Sequence, residues 1–278
     1  MKSPKFFRII FCITLWAFAT TFSNAAENNS LTIPRVDGVP TLADFAGMRP
    51  ISSLAKSMSK AENFTQREPD VGQASSQKTE VYIGYDDENF YTIFLAFDSN
   101  PELIRGNFSA RENIFGDDWV GVMVDTFNDQ QSSFAFASNP RAIQFDARWT
   151  EGSSRRGGFD PTFDAVWFNE GELNDQGYMV SLTIPLRSLR FNEVDEQTWR
   201  IQFTRTIPRN NEESHWPEYS IDVEGRLNQA ATLNGIRDVS PGNNYQVIPF
   251  FFARELDALD ENAFGGPKFG RSSEQEVG

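Results

Sequence analysis

The feature that most constrains this chain is a two-residue alternation of apolar and polar side chains, repeated in short runs between turn residues. Trp119 to Asp125, "WVGVMVD", sets Val120, Val122 and Val124 against Trp119, Gly121, Met123 and Asp125. Successive side chains of an extended strand point to opposite faces, so one set belongs to a core and the other to a second surface. "TEVYIGYDDENFYTIFLAFDSNP" reads as a hairpin, with Val81, Ile83 and Tyr85 on one face, "DDEN" as the turn and residues 90–97 returning. Residues 132–138, 143–149, 164–169 and 178–184 and the run "TWRIQFTRTIP" continue the series. Only 101–104 and 185–189 leave room for a turn of helix. The expected fold is all-β, an antiparallel two-sheet sandwich rather than a β-α-β array. The 26 Phe residues suit such an interior.

The two ends read differently. Lys2, Lys5 and Arg8 followed by the apolar run 9–19 and the small residues Ser23-Asn24-Ala25 form an export signal, with cleavage expected after Ala25. Cys12, the only cysteine, would leave with it, so the mature chain carries no disulfide and no thiolate nucleophile. Residues 26–35 read as a linker and 36–242 as the sandwich. Within it, 41–78 is Ser-, Ala- and Gln-rich and reads mostly as loop, with "FTQREPDVGQ" as an extended segment. After "SPGNN", residues 243–278 begin with the aromatic strand "YQVIPFFFARELDALDEN" and turn acidic and Gly-rich. The formal net charge of −14 becomes more negative once the leader cations leave. Such a surface repels nucleic acid and suits neutral or cationic ligands and divalent cations.

Several chemistries are poorly served. His215 is the only histidine, and a Gly-x-Ser-x-Gly elbow is absent, so a Ser-His-Asp hydrolase is not expected. With 39 Asp and Glu, the presence of two carboxylates is no evidence of a glycosidase. Asp117 and Asp118 precede a strand, where neighbours face opposite ways, so they are not read as an acid/base pair. Asp125, Asn128 and Asp129 cluster as oxygen donors in one turn, the chemistry that suits a structural calcium. Tryptophan is the other informative type. Sugar C–H faces stack on aromatic rings, while hydroxyls call for Asp, Asn, Gln or Arg around the ring edge. Trp119 follows the Asp117-Asp118 pair and Trp149 follows "IQFDAR". Trp199 opens an alternating strand and is expected in the core.

Taken in order, "VDGVPT", the hairpin above, "RENIFGDDWVGVMVDTFND", "FASNPRAIQFDARW", "FDAVWF", "GYMVSLTIPLRSLRF" and "TWRIQFTRTIPRNNEESHWP" resemble the family 9 carbohydrate-binding module. They are most similar to the version fused to an uncharacterised outer-membrane β-barrel in Gram-negative bacteria. The resemblance covers about 36–242. It implies a jelly-roll-like sandwich, sugar held between aromatic side chains, often a structural calcium, and company with xylan- or cellulose-degrading enzymes. The module itself would be non-catalytic, and 243–278 would open a truncated barrel, placing the protein in the periplasm or outer membrane. Two positions depart from the pattern: Gly121 within the strand, and Glu112 where an Asp is common. The candidate ligand-binding set is Trp119, Trp149, Trp167, Arg111, Asp118, Asn139 and Asp146, with Asp125, Asn128 and Asp129 for calcium. The expected partners are an oligo- or polysaccharide and a β-barrel. The competing readings are a structural or gating domain of such a barrel, and a glycoside hydrolase.

Overall fold

The computed structural model describes residues 30–153, 155–242, 251–260 and 268–277. In chain order the strands are β1 (Ser30–Thr32), β2 (Ser59–Ala61), β3 (Thr65–Glu68), β4 (Thr79–Tyr85), β5 (Asn89–Phe97), β6 (Trp119–Asp125), β7 (Ser132–Ser138) and β8 (Gln144–Thr150). They continue with β9 (Phe159–Asp160), β10 (Phe168–Asn174), β11 (Gly177–Pro185), β12 (Glu196–Ile207), β13 (Glu212–Trp216), β14 (Ala231–Arg237), β15 (Phe251–Asp260) and β16 (Lys268–Val277). The larger sheet runs β1-β14-β12-β6-β7-β8-β9, with β13 pairing to β12 and β3 to β13. The smaller sheet runs β10-β11-β5-β4-β2. β15 and β16 form a separate two-stranded sheet. The expected leader, residues 1–25, lies outside the described residues.

The alternation read in the sequence is the partition between the faces. Val120, Val122 and Val124 of β6 join Phe134, Phe136, Trp199, Ile201 and Phe203 on the inner face of the larger sheet. They pack against Val81, Ile83, Phe94, Tyr178, Val180 and Leu182 of the smaller one. Phe94 meets Phe203 edge-on at 5.8 Å between ring centroids, and Trp199 sits between Phe90 and Phe191 at 6.3 and 5.4 Å. The helical turns fall where expected, at Pro101–Leu103 and Leu186–Ser188.

Two expectations are corrected, and a third is filled in. Most of 41–78 lies outside helices and strands, as expected, and β3 falls in the stretch read as extended. The segment holds a 3-10 turn (Leu42–Phe45), the short helix α1 (Ser53–Ser57, capped by Ser52 Oγ accepting from Ala55 N at 3.0 Å), β2 and β3. Leu42, Phe45, Met48, Ala55 and Met58 cover Tyr82, Tyr91, Ile93, Leu95 and Met179, so the outer face of the smaller sheet is buried too over β4, β5 and β11. The sandwich begins before residue 36, because Ser30, Leu31 and Thr32 pair in parallel with β14. The strand expected at 164–169 is displaced to Phe168–Asn174, because Asp164–Trp167 is pinned crosswise to β8 by side-chain bonds described below.

Because Phe203 is fully buried between the sheets, Phe203→Ala should cost about 3–5 kcal/mol. Urea unfolding should read this as a lower midpoint at unchanged slope.

Candidate functional site

With one face of the smaller sheet capped and the interior filled, the outer face of the larger sheet is left to build a site. Strand register assembles it row by row. His215, Thr204, Gly121, Ala137 and Phe145 align across β13, β12, β6, β7 and β8, and Gln202, Met123, Ala135 and Ala147 make the next row. In the first row the middle, Gly121 and Ala137, is small and the ends, His215 and Phe145, are large; in the second, Met123 lies beside the small Ala135 and Ala147. A Cβ on Gly121 would lie 2.9 Å from Ala137 Cβ and 3.0 Å from Phe136 O, so glycine keeps the floor low. The residue that departs from the family pattern therefore deepens a trough.

One wall is aromatic. Trp119, Phe115, Phe145 and Phe159 touch in sequence, edge to face, with centroids 5.9, 4.9 and 6.1 Å apart. Phe115 is 56% exposed, a large apolar ring held at the surface by its neighbours. The opposite wall is polar. Glu213 and Arg226 line the same cavity with Thr204. Arg226 Nε donates to Gln202 Oε1 at 2.6 Å, its backbone N to Glu151 Oε2 at 2.8 Å, and its guanidinium lies 5.3 Å from the centre of the Tyr219 ring. The loop carrying Arg226 is closed by Gln229, whose side chain bonds Ser220 O and Gly225 O.

Behind the polar wall, His215 is fully buried. Its Nδ1 lies 3.1 Å from Thr204 Oγ1 and its Nε2 2.8 Å from Glu213 Oε1. Burial pushes the imidazole down to about 4, against the Glu213 hydrogen bond and with the Arg226 and Arg67 charges. It is therefore neutral at pH 7, and these partners select the tautomer that donates from Nε2 and accepts at Nδ1. Burial works to raise the Glu213 carboxyl, but the His215 bond and the charges of Arg67 and Arg226 hold it at about 2. The wall thus presents a fixed carboxylate beside a fixed guanidinium. On the same face, Gln202 Nε2, Thr206 Oγ1 and Ser133 Oγ are buried with no partner among the described residues.

The sequence-derived candidates divide. Trp119 stands in the aromatic wall. Trp149 lies on the same face, 6% exposed among Met123, Ala135 and Leu227, its Nε1 donating to Gly157 O at 3.3 Å. The other five belong to the frame. Trp167 is 3% exposed between the sheets against Phe136, and its Nε1 donates to Asp146 Oδ1 at 3.2 Å. Asp146 also accepts from Ala165 N at 2.8 Å and from Arg111, which reaches Asp164 at 3.1 Å. Asn139 accepts from Arg141 N and Ile143 N, both at 2.9 Å, and donates to Asn107 O. Asp118 accepts from Arg105 N at 2.9 Å and its neighbour Asp117 from Asn107 N at 3.0 Å. This pair ties the Arg105–Asp118 loop to β6, and Asp118, expected among the ligand-binding residues, is fully buried.

Asp125, Asn128 and Asp129 do share one turn, where each accepts hydrogen bonds that close it. Asp125 accepts from Phe127 N and Gln130 N at 3.1 and 2.9 Å, Asp129 from Gln131 N at 2.8 Å, and Asn128 Oδ1 from Arg200 Nε at 2.8 Å. Asp125 is fully buried and the Arg200 guanidinium sits on Asn128 Oδ1, so the three side chains do not offer a cation an open set of oxygen ligands. Among the described residues no group of three or more acidic, His or Cys side chains is gathered for a metal. The turn does not fit a calcium cage.

No family model matches the chain, and no curated protein matches it. Solved structures do. A candidate carbohydrate-binding protein from Bacteroides uniformis is 12% identical, with a TM-score of 0.55, over 75% of this chain and 99% of that one. The likeness is one of fold. Two structures of a family 9 carbohydrate-binding module from Caldicellulosiruptor kristjanssonii also align. The glucose complex is 10% identical, with a TM-score of 0.47, over 78% of this chain and 99% of that one. The cellotriose complex is 11% identical, with a TM-score of 0.45, over 79% and 99%.

The buried imidazole sets a pH signature. Between pH 6.5 and about 4 the unfolded chain binds a proton that folded His215 refuses, so stability is full above 6.5 and falls toward 4. The loss should approach roughly 3 kcal/mol. Urea midpoints measured across this range should fall for the wild type and flatten for His215→Gln. An unchanged slope contradicts the assignment.

Proposed function

We propose that the chain is a non-catalytic carbohydrate-binding domain whose ligand lies in the trough on the outer face of the larger sheet. The observation that carries this reading is the pairing of a continuous aromatic wall with a fixed carboxylate–guanidinium wall over a floor of Gly121, Ala135 and Ala137. A pyranose offers an apolar ring face to the first and hydroxyls to the second. The fold match to a candidate carbohydrate-binding protein and the ordered motifs of the family 9 resemblance support the same class. The proposed ligands are neutral xylan- or cellulose-type oligosaccharides, in keeping with the net charge of −14. The proposed setting is the envelope of a Gram-negative bacterium, beside an outer-membrane β-barrel. The leader-like start and the β15–β16 hairpin support that setting.

Catalysis is not part of the reading. The carboxylates at the two sides, Glu213 on β13 and Glu112 packed on β8, are separated by four strand spacings, on the order of 19 Å along the sheet. Glycosidase pairs work at about 5–9.5 Å.

Titration of the full chain with xylo- and cello-oligosaccharides, followed by Trp fluorescence, should saturate. Trp119→Ala should weaken binding at least roughly tenfold, about 1.4 kcal/mol, with the circular dichroism spectrum unchanged. A chelator should leave the wild-type curve where it is. A flat trace from folded wild type sinks the carbohydrate reading in favour of a structural domain of a barrel.

A further inference from the structure

The aromatic wall has two sides. Phe115, Phe145 and Phe159 line the trough, and the same three rings line a second cavity completed by Glu112 and Pro161. The volumes are about 170 and 240 Å³, each several times the roughly 30 Å³ share of one water. The second cavity is lined by apolar groups and one carboxylate. Glu112 is held there by its own backbone. Its N donates to Gln144 O at 2.8 Å on β8 while its φ is +73°, a conformation that costs a non-glycine residue of order 1–3 kcal/mol.

The Glu112 side chain is partly buried and only loosely engaged. Its Oε1 lies 3.3 Å from Arg111 Nε and its Oε2 3.3 Å from Asp146 N, the long end of hydrogen-bond range. The strong partners of Arg111 are elsewhere, on Asp146 and Asp164. Burial and the nearby Asp146 charge push the Glu112 carboxyl up, against the Asp146 N–H and Arg111. A donor approaching from the cavity would therefore meet an acceptor that the protein has not fully satisfied.

We propose that this cavity is a second sugar subsite, across the shared aromatic wall from the trough, in which a further ring of the same oligosaccharide rests against Phe115, Phe159 and Pro161 and donates a hydroxyl to Glu112. The inference rests on the trough being the primary saccharide site. Its consequence is that the ligand class is an oligosaccharide laid across the strands, not a monosaccharide. Phe115 and Phe145 then serve both rings, which accounts for a Phe exposed at 56% being kept in an edge-to-face stack. Glu112 is the specificity element, because it is the one carboxylate in the lining of this cavity.

Calorimetric titration of the full chain with glucose, cellobiose and cellotriose, and with xylose and xylotriose, tests this through the ratio of trisaccharide to monosaccharide affinity. The wild-type ratio should be about tenfold or more. Glu112→Gln should reduce that ratio several-fold, since the amide offers a poorer acceptor in the same volume. Phe159→Leu, which keeps an apolar contact but removes a ring face, should also reduce it, with folding checked by circular dichroism. A wild-type ratio near one, or a ratio indifferent to both substitutions, overturns the second subsite while leaving saccharide binding standing. Absence of binding to every saccharide overturns the primary reading and this inference with it.

Discussion

A single buried guanidinium holds the two sheets in register. Arg205 of β12 is fully buried, and its Nη1 donates to Lys78 O and Thr79 Oγ1 at 2.8 and 3.0 Å while its Nη2 donates to Phe97 O at 2.7 Å. These acceptors lie at β4 and β5 of the opposite sheet. Asp98, 3.8 Å away and bound by Arg209 through both oxygens, balances the charge. A charge taken out of water is tolerated only when partnered in this way, and removing one partner leaves the other stranded. The same strand carries Gln202 and Thr204 on its opposite face. The interaction that fixes the sandwich therefore fixes the floor of the trough.

The trough follows from side-chain size arranged by register. Gly121, Ala135 and Ala137 keep the floor low on the middle strands β6 and β7, with Met123 beside them. The walls are high because large residues sit on the flanking strands and loops. The polar wall is rigid rather than mobile. His215 is locked by two hydrogen bonds, Tyr219 stacks edge-on against it at 5.4 Å, and the loop behind is latched by Gln229 and Glu151. A site whose polar groups are already oriented loses little entropy on binding.

The frame was legible where one strand's own pattern decided the outcome. Val120, Val122 and Val124 face the core and Trp119, Gly121 and Met123 face away, because a period of two leaves one choice once the core is apolar. Trp199 was readable as core for the same reason. Trp119 and Trp149 were readable as candidates, and both lie on the trough face. Trp167 was not distinguishable from them, because its burial depends on the irregular Asp164–Trp167 segment being tied to Asp146 and Arg111. The polar wall was out of reach. Glu213 and Arg226 meet only because β13 pairs with the far half of β12, and no local signal reports that pairing. Phe145 carried a signal that could have been used, since it alternates with Ala147 and Trp149 on one face. The turn at Asp125 was correctly seen as rich in oxygen donors, but donor count alone does not show that Asp125 is fully buried or that Arg200 sits on Asn128.

The proposed ligand enters the trough on the outer face of the larger sheet. The most direct measurement is a proton–nitrogen correlation spectrum of the indole N–H groups of the full chain, recorded as cellotriose and xylotriose are added. Trp119 and Trp149 are the probes on that face, and Trp167 and Trp199, buried between the sheets, are internal controls. The account expects saturable shifts at Trp119, smaller ones at Trp149, and none at Trp167 or Trp199. Shifts confined to other resonances, or no shift at millimolar saccharide, would contradict it.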